Sequence, residues 1–367
     1  MSGGWRQRLR PALARLHAYH VPPLPCAVKL DANESPFAPS AELSAALGEA
    51  VRGAHLERYP DPQATRLRAA VAAHLGQPPG RLCFGNGSDE LIGLLCQAFA
   101  AAQQDGAPGR VLFPGPTFVF YRTAAIAAGL EVVEAPLGAR FAADEGALEE
   151  AIARTRPNLV FVATPNNPTG TRWPRAALER LVARHPDTAI VIDEAYASYG
   201  GESHLDLVAQ SEHCLSLRTY SKVGLAGLRL GVVVAQEAVI AELEKLRGPY
   251  NLGLLPQLAG ELCIGRFGGE LSAHVATIVG ERERVFAALQ QVADLEVFPS
   301  AANLLLVRVA DAGALWRGLL DRGVLVRNLD RPGPLSGCLR VTVGTPAEND
   351  HFLSALSAAL PSSPPRP

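Results

Sequence analysis

Short apolar runs recur along residues 81–234, separated by longer stretches in which apolar side chains return every three or four positions. The runs at 81–84, 110–113, 131–135, 159–163, 189–193, 214–218 and 230–234 have the length of strands. In the middle of the series there is no polar alternation: Leu159-Val160-Phe161-Val162-Ala163 and Ile190-Val191-Ile192 are apolar throughout. Strands covered on both faces have this composition. The intervening patterns predict helices over 63–76, 88–101, 118–128, 145–154 and 175–185. Strand–helix alternation at this spacing predicts an α/β fold, with seven strands in a mainly parallel sheet flanked by helices. The pattern then changes. A helical stretch over about 256–292 leads into short strands at 295–299, 303–309, 324–328 and 338–343, with one helix at 312–322 and a last one after Pro346. That reads as a smaller α+β domain. The expected division is an N-terminal arm (1–39) that belongs with the small domain, a large domain (40–265) and a small C-terminal domain (266–367).

A length of 367 residues suits two domains, each able to bury a core without disulfides or structural metals. Hydrophobic residues at 48% against 19% charged exclude wholesale disorder. A net charge of −2 leaves no electrostatic footprint for nucleic acid, and runs such as 231–235 fall far short of a membrane span. The cysteines (Cys26, Cys83, Cys96, Cys214, Cys263, Cys338) are scattered, with no Cys-x-x-Cys and no neighbouring His cluster. They read as small buried hydrophobes of a reduced, cytoplasmic protein, and no metal is expected. The first 30 residues hold four Arg, one Lys and no acid, but they lack an apolar core and are interrupted by Pro22, Pro23 and Pro25. A folded arm fits them better than a targeting segment. Lysine is the informative count. Of 34 basic residues only Lys29, Lys222 and Lys245 are lysines, so chemistry that needs an amine able to lose its proton has three candidates.

Lys222 follows a predicted strand in Arg218-Thr219-Tyr220-Ser221-Lys222-Val223-Gly224-Leu225-Ala226-Gly227-Leu228-Arg229. The glycines let backbone approach a ligand closely, and a strand-end amine can form a Schiff base once its pKa is depressed. Taken alone, a solvated loop lysine is the commoner case. Lys245 sits on the charged face of a helical pattern and Lys29 in an extended arm. Asp193 ends the run Ile190-Val191-Ile192-Asp193-Glu194-Ala195-Tyr196. Open α/β sheets present ligand-binding groups at the carboxyl ends of their strands. A carboxylate there could keep a pyridine nitrogen protonated while Tyr196 donates to the ring oxygen, although a helix-capping Asp would look the same. Thr164-Pro165-Asn166-Asn167-Pro168-Thr169-Gly170 holds a pair of side-chain amides rigidly between prolines. Gly85-Asn86-Gly87-Ser88-Asp89-Glu90 would aim the amides of Ser88 and Asp89 and a helix start at a phosphate, or simply cap a helix. Phe118 could stack on a planar ring or fill the core.

In this order and spacing the segments resemble the fold-type I aminotransferases that use pyridoxal 5′-phosphate, and within them the histidinol-phosphate aminotransferase family. The likeness runs from Tyr19 to Phe352. Its narrower part rests on Lys29-Leu30-Asp31-Ala32-Asn33-Glu34, Tyr59-Pro60-Asp61-Pro62, Gly85 to Glu90, and Leu339-Arg340-Val341-Thr342-Val343-Gly344-Thr345. The resemblance implies that Lys222 carries the cofactor as an imine and then moves the substrate's Cα proton. It implies that Asp193 pairs with the pyridine nitrogen, that Asn167 and Tyr196 contact the ring oxygen, and that Phe118 takes the stacking position often held by Tyr. Ser88, Asp89, Thr219, Ser221 and Arg229 would hold the cofactor, with Tyr59 reaching in from the other subunit of a homodimer. Arg340 would bind the substrate's phosphate or carboxylate, with Arg327, Asn33, Asn167 and the partner's Tyr19 completing the pocket. The implied reaction is ping-pong: L-histidinol phosphate and 2-oxoglutarate give imidazole-acetol phosphate and L-glutamate. The loop from Lys222 to Arg229 is one residue shorter than in many relatives, so the role of Arg229 requires that loop to be re-formed. The competing readings are an aminotransferase for aromatic or other amino acids, a threonine-phosphate decarboxylase, and a catalytically silent ligand-binding relative.

Overall fold

The computed structural model describes residues 4–16, 18 and 24–360. Its strands are β1 (Val28–Leu30), β2 (Leu82–Asn86), β3 (Arg110–Gly115), β4 (Glu131–Pro136), β5 (Leu159–Ala163), β6 (Ala189–Asp193), β7 (Cys214–Thr219), β8 (Leu230–Val234), β9 (Glu296–Phe298), β10 (Leu304–Arg308), β11 (Val324–Asn328) and β12 (Cys338–Thr342). Seven form one sheet in the order β2-β8-β7-β6-β5-β3-β4, and the other five form a second in the order β1-β11-β12-β10-β9.

The apolar runs explain the large sheet. Every residue of β5, β6 and β8 is buried. Period-two alternation divides them between two cores: Val160, Val162, Ile190 and Ile192 face one, and Leu159, Phe161 and Val191 face the other. β4 lies at one edge, and Glu131 and Glu134 on it are exposed, which discourages pairing with another chain. β8 departs from the parallel expectation, since it runs antiparallel to both β2 and β7. Its apolar run is as continuous as that of a parallel strand because it too is covered on both faces, so composition alone could not give its direction.

β3 lies between β4 and β5, while the chain after β5 continues the other way through β6 and β7. The carboxyl ends of β3 and β5 therefore flank a switch point, the place where open α/β sheets leave a crevice.

Two elements were not among the expected ones. A helix spans Ala41–Arg52, started by the Ser40 hydroxyl accepting from the Leu43 N–H. The arm contributes β1, which pairs in parallel with β11, matching Leu30 to Val326. The stretch expected as one helix over 256–292 is interrupted: Leu254–Glu261 passes through a wide turn at Leu262–Arg266 before Gly268–Leu289 resumes. Five cysteines are buried, whereas Cys26 is only half-buried. Among the described residues no His, Cys, Asp and Glu cluster could hold a metal ion, and no helix is long and apolar enough to cross a membrane.

Candidate active site

A cavity of about 230 Å³ opens at the carboxyl ends of β5, β6 and β7, against the inner face of the small sheet. Thirteen sequence-predicted residues line it: Asn33, Ser88, Asp89, Phe118, Asn167, Asp193, Tyr196, Thr219, Ser221, Lys222, Arg229, Arg327 and Arg340. A wider groove of about 1970 Å³ lies at the amino ends of the strands, around Arg110, Asn158 and His213, and holds none of them. Tyr59 is outside the cavity, 81% exposed and stacked on Tyr250 with ring centroids 4.6 Å apart. Tyr19 lies outside the described residues.

One wall is built around a helix start whose amides could hold an anion. The helix Gly87–Ala98 starts at the cavity, and its N-cap Asn86 makes no side-chain cap, so the first-turn amides are left for another acceptor. Gly87 has φ +73°, and its N–H donates to the Arg229 carbonyl at 2.7 Å. The chain reaches Arg229 through tight turns at Ser221–Val223 and Ala226–Leu228, and Arg229 itself is left-handed at φ 51°. In this way the loop delivers the guanidinium to that wall, where it pairs with Asp89 at 2.8 Å. Thr219 braces the turn: its hydroxyl accepts from the Ser221 N–H at 3.2 Å and lies 2.9 Å from the Ser221 hydroxyl.

The three lysines differ sharply. Lys29 is paired with Glu34 at 2.7 Å and Asp31 at 3.1 Å. Burial pushes its pKa down, but these carboxylates outweigh that and hold it above the ordinary value. Lys245 is paired with Glu242 at 2.5 Å. Among the described residues the Lys222 amine has no hydrogen bond or ion pair; it lies 5.8 Å from the centre of the Tyr196 ring. Its backbone is held from behind, where the Tyr199 hydroxyl donates to the Lys222 carbonyl at 2.6 Å.

Asp193 is buried, and among the described residues no cation pairs with it. The Tyr121 hydroxyl donates to Oδ2, and the Ala195 N–H donates to Oδ1 at 2.9 Å. Burial nevertheless dominates and lifts its pKa to about 6. Glu194, the next residue, takes the opposite side of the strand end. Burial pushes it up as well, but His204, Arg218 and Ser216 converge on it and bring it down to about 2. Arg218 is at 2.8 Å and the Ser216 hydroxyl at 2.6 Å.

The two asparagines in the proline-flanked turn separate in role. Asn166 staples the turn, donating to the Pro116 carbonyl at 2.9 Å and to Thr169 at 2.8 Å. Asn167 faces the cavity and accepts from Arg340 at 2.7 Å, while Arg340 also donates to the Asp31 carbonyl at 2.5 Å. On β12 the neighbours Leu339 and Val341 point into the small-domain core, which turns Arg340 to the other face. Arg327 is its direct cross-strand partner on β11. Two guanidinia placed opposite each other repel, an arrangement that favours an anion between them. Phe118 meets Tyr121 edge-on, with centroids 5.7 Å apart.

Sequence reasoning missed Tyr121, Lys29 and Asp31 as cavity residues. Tyr121 follows Phe118 by three residues across the turn into the helix Phe120–Ala128, so the spacing Phe118-x-x-Tyr121 was the available signal.

The sequence matches the family described as aminotransferase class I and II over residues 26–356. It is 42% identical to a histidinol-phosphate aminotransferase of Methylibium petroleiphilum, covering 96% of each chain. It is 41% identical to histidinol-phosphate aminotransferase 2 of Nitrosococcus oceani, covering 96% of this chain and 97% of that one. In fold it matches a histidinol-phosphate aminotransferase from Sinorhizobium meliloti, solved in complex with pyridoxal 5′-phosphate. The TM-score is 0.85 at 24% identity, over 96% of this chain and 97% of that one.

Proposed function

The chain belongs to the class I and II aminotransferases, and from that membership we propose that it moves the amino group of L-histidinol phosphate to 2-oxoglutarate, yielding imidazole-acetol phosphate and L-glutamate for histidine biosynthesis. The names of its relatives and the paired guanidinia of Arg327 and Arg340 support this choice of substrate. Pyridoxal 5′-phosphate, when bound, supplies the electron sink that lets the Cα–H bond of an amine substrate break. The residues present fit that group. The uncapped helix start, Ser88, Asp89, Thr219, Ser221 and Arg229 suit its phosphate. A buried carboxylate without a cation, Asp193, suits a ring nitrogen that has to keep its proton. Phe118 offers a ring face, and Asn167 and Tyr196 offer polar contacts to a ring oxygen.

Lys222 Nζ, with no ion pair among the described residues, would provide the amine that carries the cofactor, and would then take the proton from the substrate's Cα and deliver it to the cofactor's C4′. Arg340, oriented by Asn167 and the Asp31 carbonyl, grips the substrate anion with a planar fork that Lys could not reproduce. Arg327 and Asn167 complete that end of the pocket, and Asn33, buried behind it, braces its wall. The kinetics follow a ping-pong pattern, since both substrates use the same amine and the same fork in turn. We read the enzyme as a cytoplasmic homodimer in which Tyr59 crosses to the other subunit's site, which is in keeping with the exposed Tyr59 ring.

The observation that carries the reading is an amine and a buried carboxylate in one cavity, neither with a counter-ion among the described residues. The test is a substrate panel. Values of kcat/KM for histidinol phosphate should exceed those for phenylalanine, tyrosine and phosphothreonine, with no CO₂ released. A preference for an aromatic amino acid, or decarboxylation of phosphothreonine, would contradict the assignment.

A further inference from the structure

Asn33 does not present its amide to open space. It is 1% exposed, in a left-handed conformation at φ 55° that Asn tolerates better than most residues. Every polar group it has is engaged. Its N–H donates to the Thr342 hydroxyl oxygen at 2.9 Å, and its carbonyl accepts from Asn303 Nδ2 at 3.1 Å. Its Oδ1 accepts from the Thr342 hydroxyl at 3.2 Å, and its Nδ2 donates to Tyr196 Oη at 2.8 Å. The amide cannot be turned over without loss: reversed, it would leave the buried Thr342 proton without an acceptor among the described residues.

This fixes the direction of the next hydrogen bond. Tyr196 Oη accepts from Asn33, so its single proton is free to point into the cavity. Both anchors of Asn33 belong to the small sheet: Thr342 closes β12, on the same face as Arg340, and Asn303 leads into β10. Tyr196 follows β6 of the large sheet.

We propose that Asn33 is a positioning residue, whose amide holds Tyr196 as a hydrogen-bond donor towards the cofactor's ring oxygen and so ties that bond to the small sheet. The proposal rests on the function given above and assigns Asn33 a task other than substrate contact. The titratable groups around Tyr196 are Lys222 after β7, Asp193 at the end of β6, Tyr121, Tyr199 and Arg340 on β12. None of them is altered in the variants below.

The test is a double-mutant cycle of Asn33→Asp and Tyr196→Phe, read from the pH midpoint of the bound cofactor's absorbance band. Asn33→Asp is nearly isosteric, but its carboxylate accepts the Tyr196 proton instead of donating. Each single variant should raise the midpoint by about one pH unit, the worth of one hydrogen bond to a charged group. In the Tyr196→Phe background Asn33→Asp should add less than about a third of its own shift. An unmoved midpoint in Asn33→Asp, or a shift undiminished when Tyr196 is Phe, overturns the proposal. Asn33→Gly, which keeps the left-handed backbone and adds no charge, should shift the midpoint the same way, and no shift there counts against the proposal as well. The cycle is repeated on cofactor-free protein by chemical denaturation, where coupling of about fivefold in the unfolding equilibrium is expected and none would refute the pairing. If wild-type protein takes up no pyridoxal phosphate, the proposed function fails, and the cofactor-free cycle still judges Asn33.

Discussion

Asp193 and Glu194 are neighbours in the chain with opposite acid strengths, and what each one faces makes the difference. Glu194 meets an arginine, a histidine and a serine; Asp193 meets a phenol and an amide and no cation. Pairs of carboxylates pushed apart in this way mark sites where one group is structural and the other is held ready for a ligand. The raised pKa has a consequence for stability. Folded Asp193 binds its proton more tightly than the unfolded chain does, so its contribution to stability is full below about pH 4 and is lost as pH rises through about 6. A rise of about two units corresponds to about 3 kcal/mol. Cofactor-free Asp193→Asn carries no such charge and keeps both hydrogen bonds by reorienting the Tyr121 hydroxyl. Thermal denaturation of the cofactor-free forms should therefore show the variant more stable than wild type at pH 7.5. The gap should close near pH 4, and catalysis should be abolished at both. A variant less stable than wild type at pH 7.5 would show that burial is not what raises the acid.

At the level of elements, the turn from β2 into its helix is pressed against β8. A Cβ on Gly231 would fall 2.5 Å from the Gly87 carbonyl carbon and 2.8 Å from the Ser88 nitrogen, both backbone atoms that cannot step aside. Gly231→Ala should displace that turn and weaken cofactor binding about ten- to a hundredfold, in line with about 1–3 kcal/mol for overpacking. A fluorescence titration with pyridoxal phosphate measures this, and wild-type affinity would refute the assignment of that turn to the phosphate. The central strands were legible because burial on both faces removes polar residues from them, as in β5 and β6. The direction of β8 was not, since it is covered in the same way. β1 was read only as an extended arm; three residues are too few to show a period. In the site, Asn167 and Asp193 were readable from their place at strand ends. Tyr121 was not, because a helix-borne aromatic looks like core until its hydroxyl is seen on Asp193.

Across the whole molecule, the two sheets are joined by a cluster in which Tyr196 and Tyr199 pack with Ile278, Ala302, Leu304 and Val343. Arg282 is buried in the same seam and donates to the carbonyls of Tyr199 and Ala302 at 3.3 and 3.2 Å. On the proposed function, this seam brings Arg340 on the small sheet to face Lys222 in the turn after β7 of the large one. The pocket described for one chain lacks the Tyr59 ring. Sedimentation equilibrium should give about twice the 38.8 kDa of the chain. Tyr59→Phe should weaken cofactor binding about tenfold if its hydroxyl meets the phosphate across the interface. A fully active monomer would contradict the shared site. One atom, Lys222 Nζ, decides the proposed chemistry, and the scarcity of lysine makes it easy to follow. Protein loaded with pyridoxal phosphate, reduced with borohydride and digested, should yield a single pyridoxyl-labelled peptide, bearing the label on Lys222. A label on Lys29 or Lys245, or no label, would contradict the account.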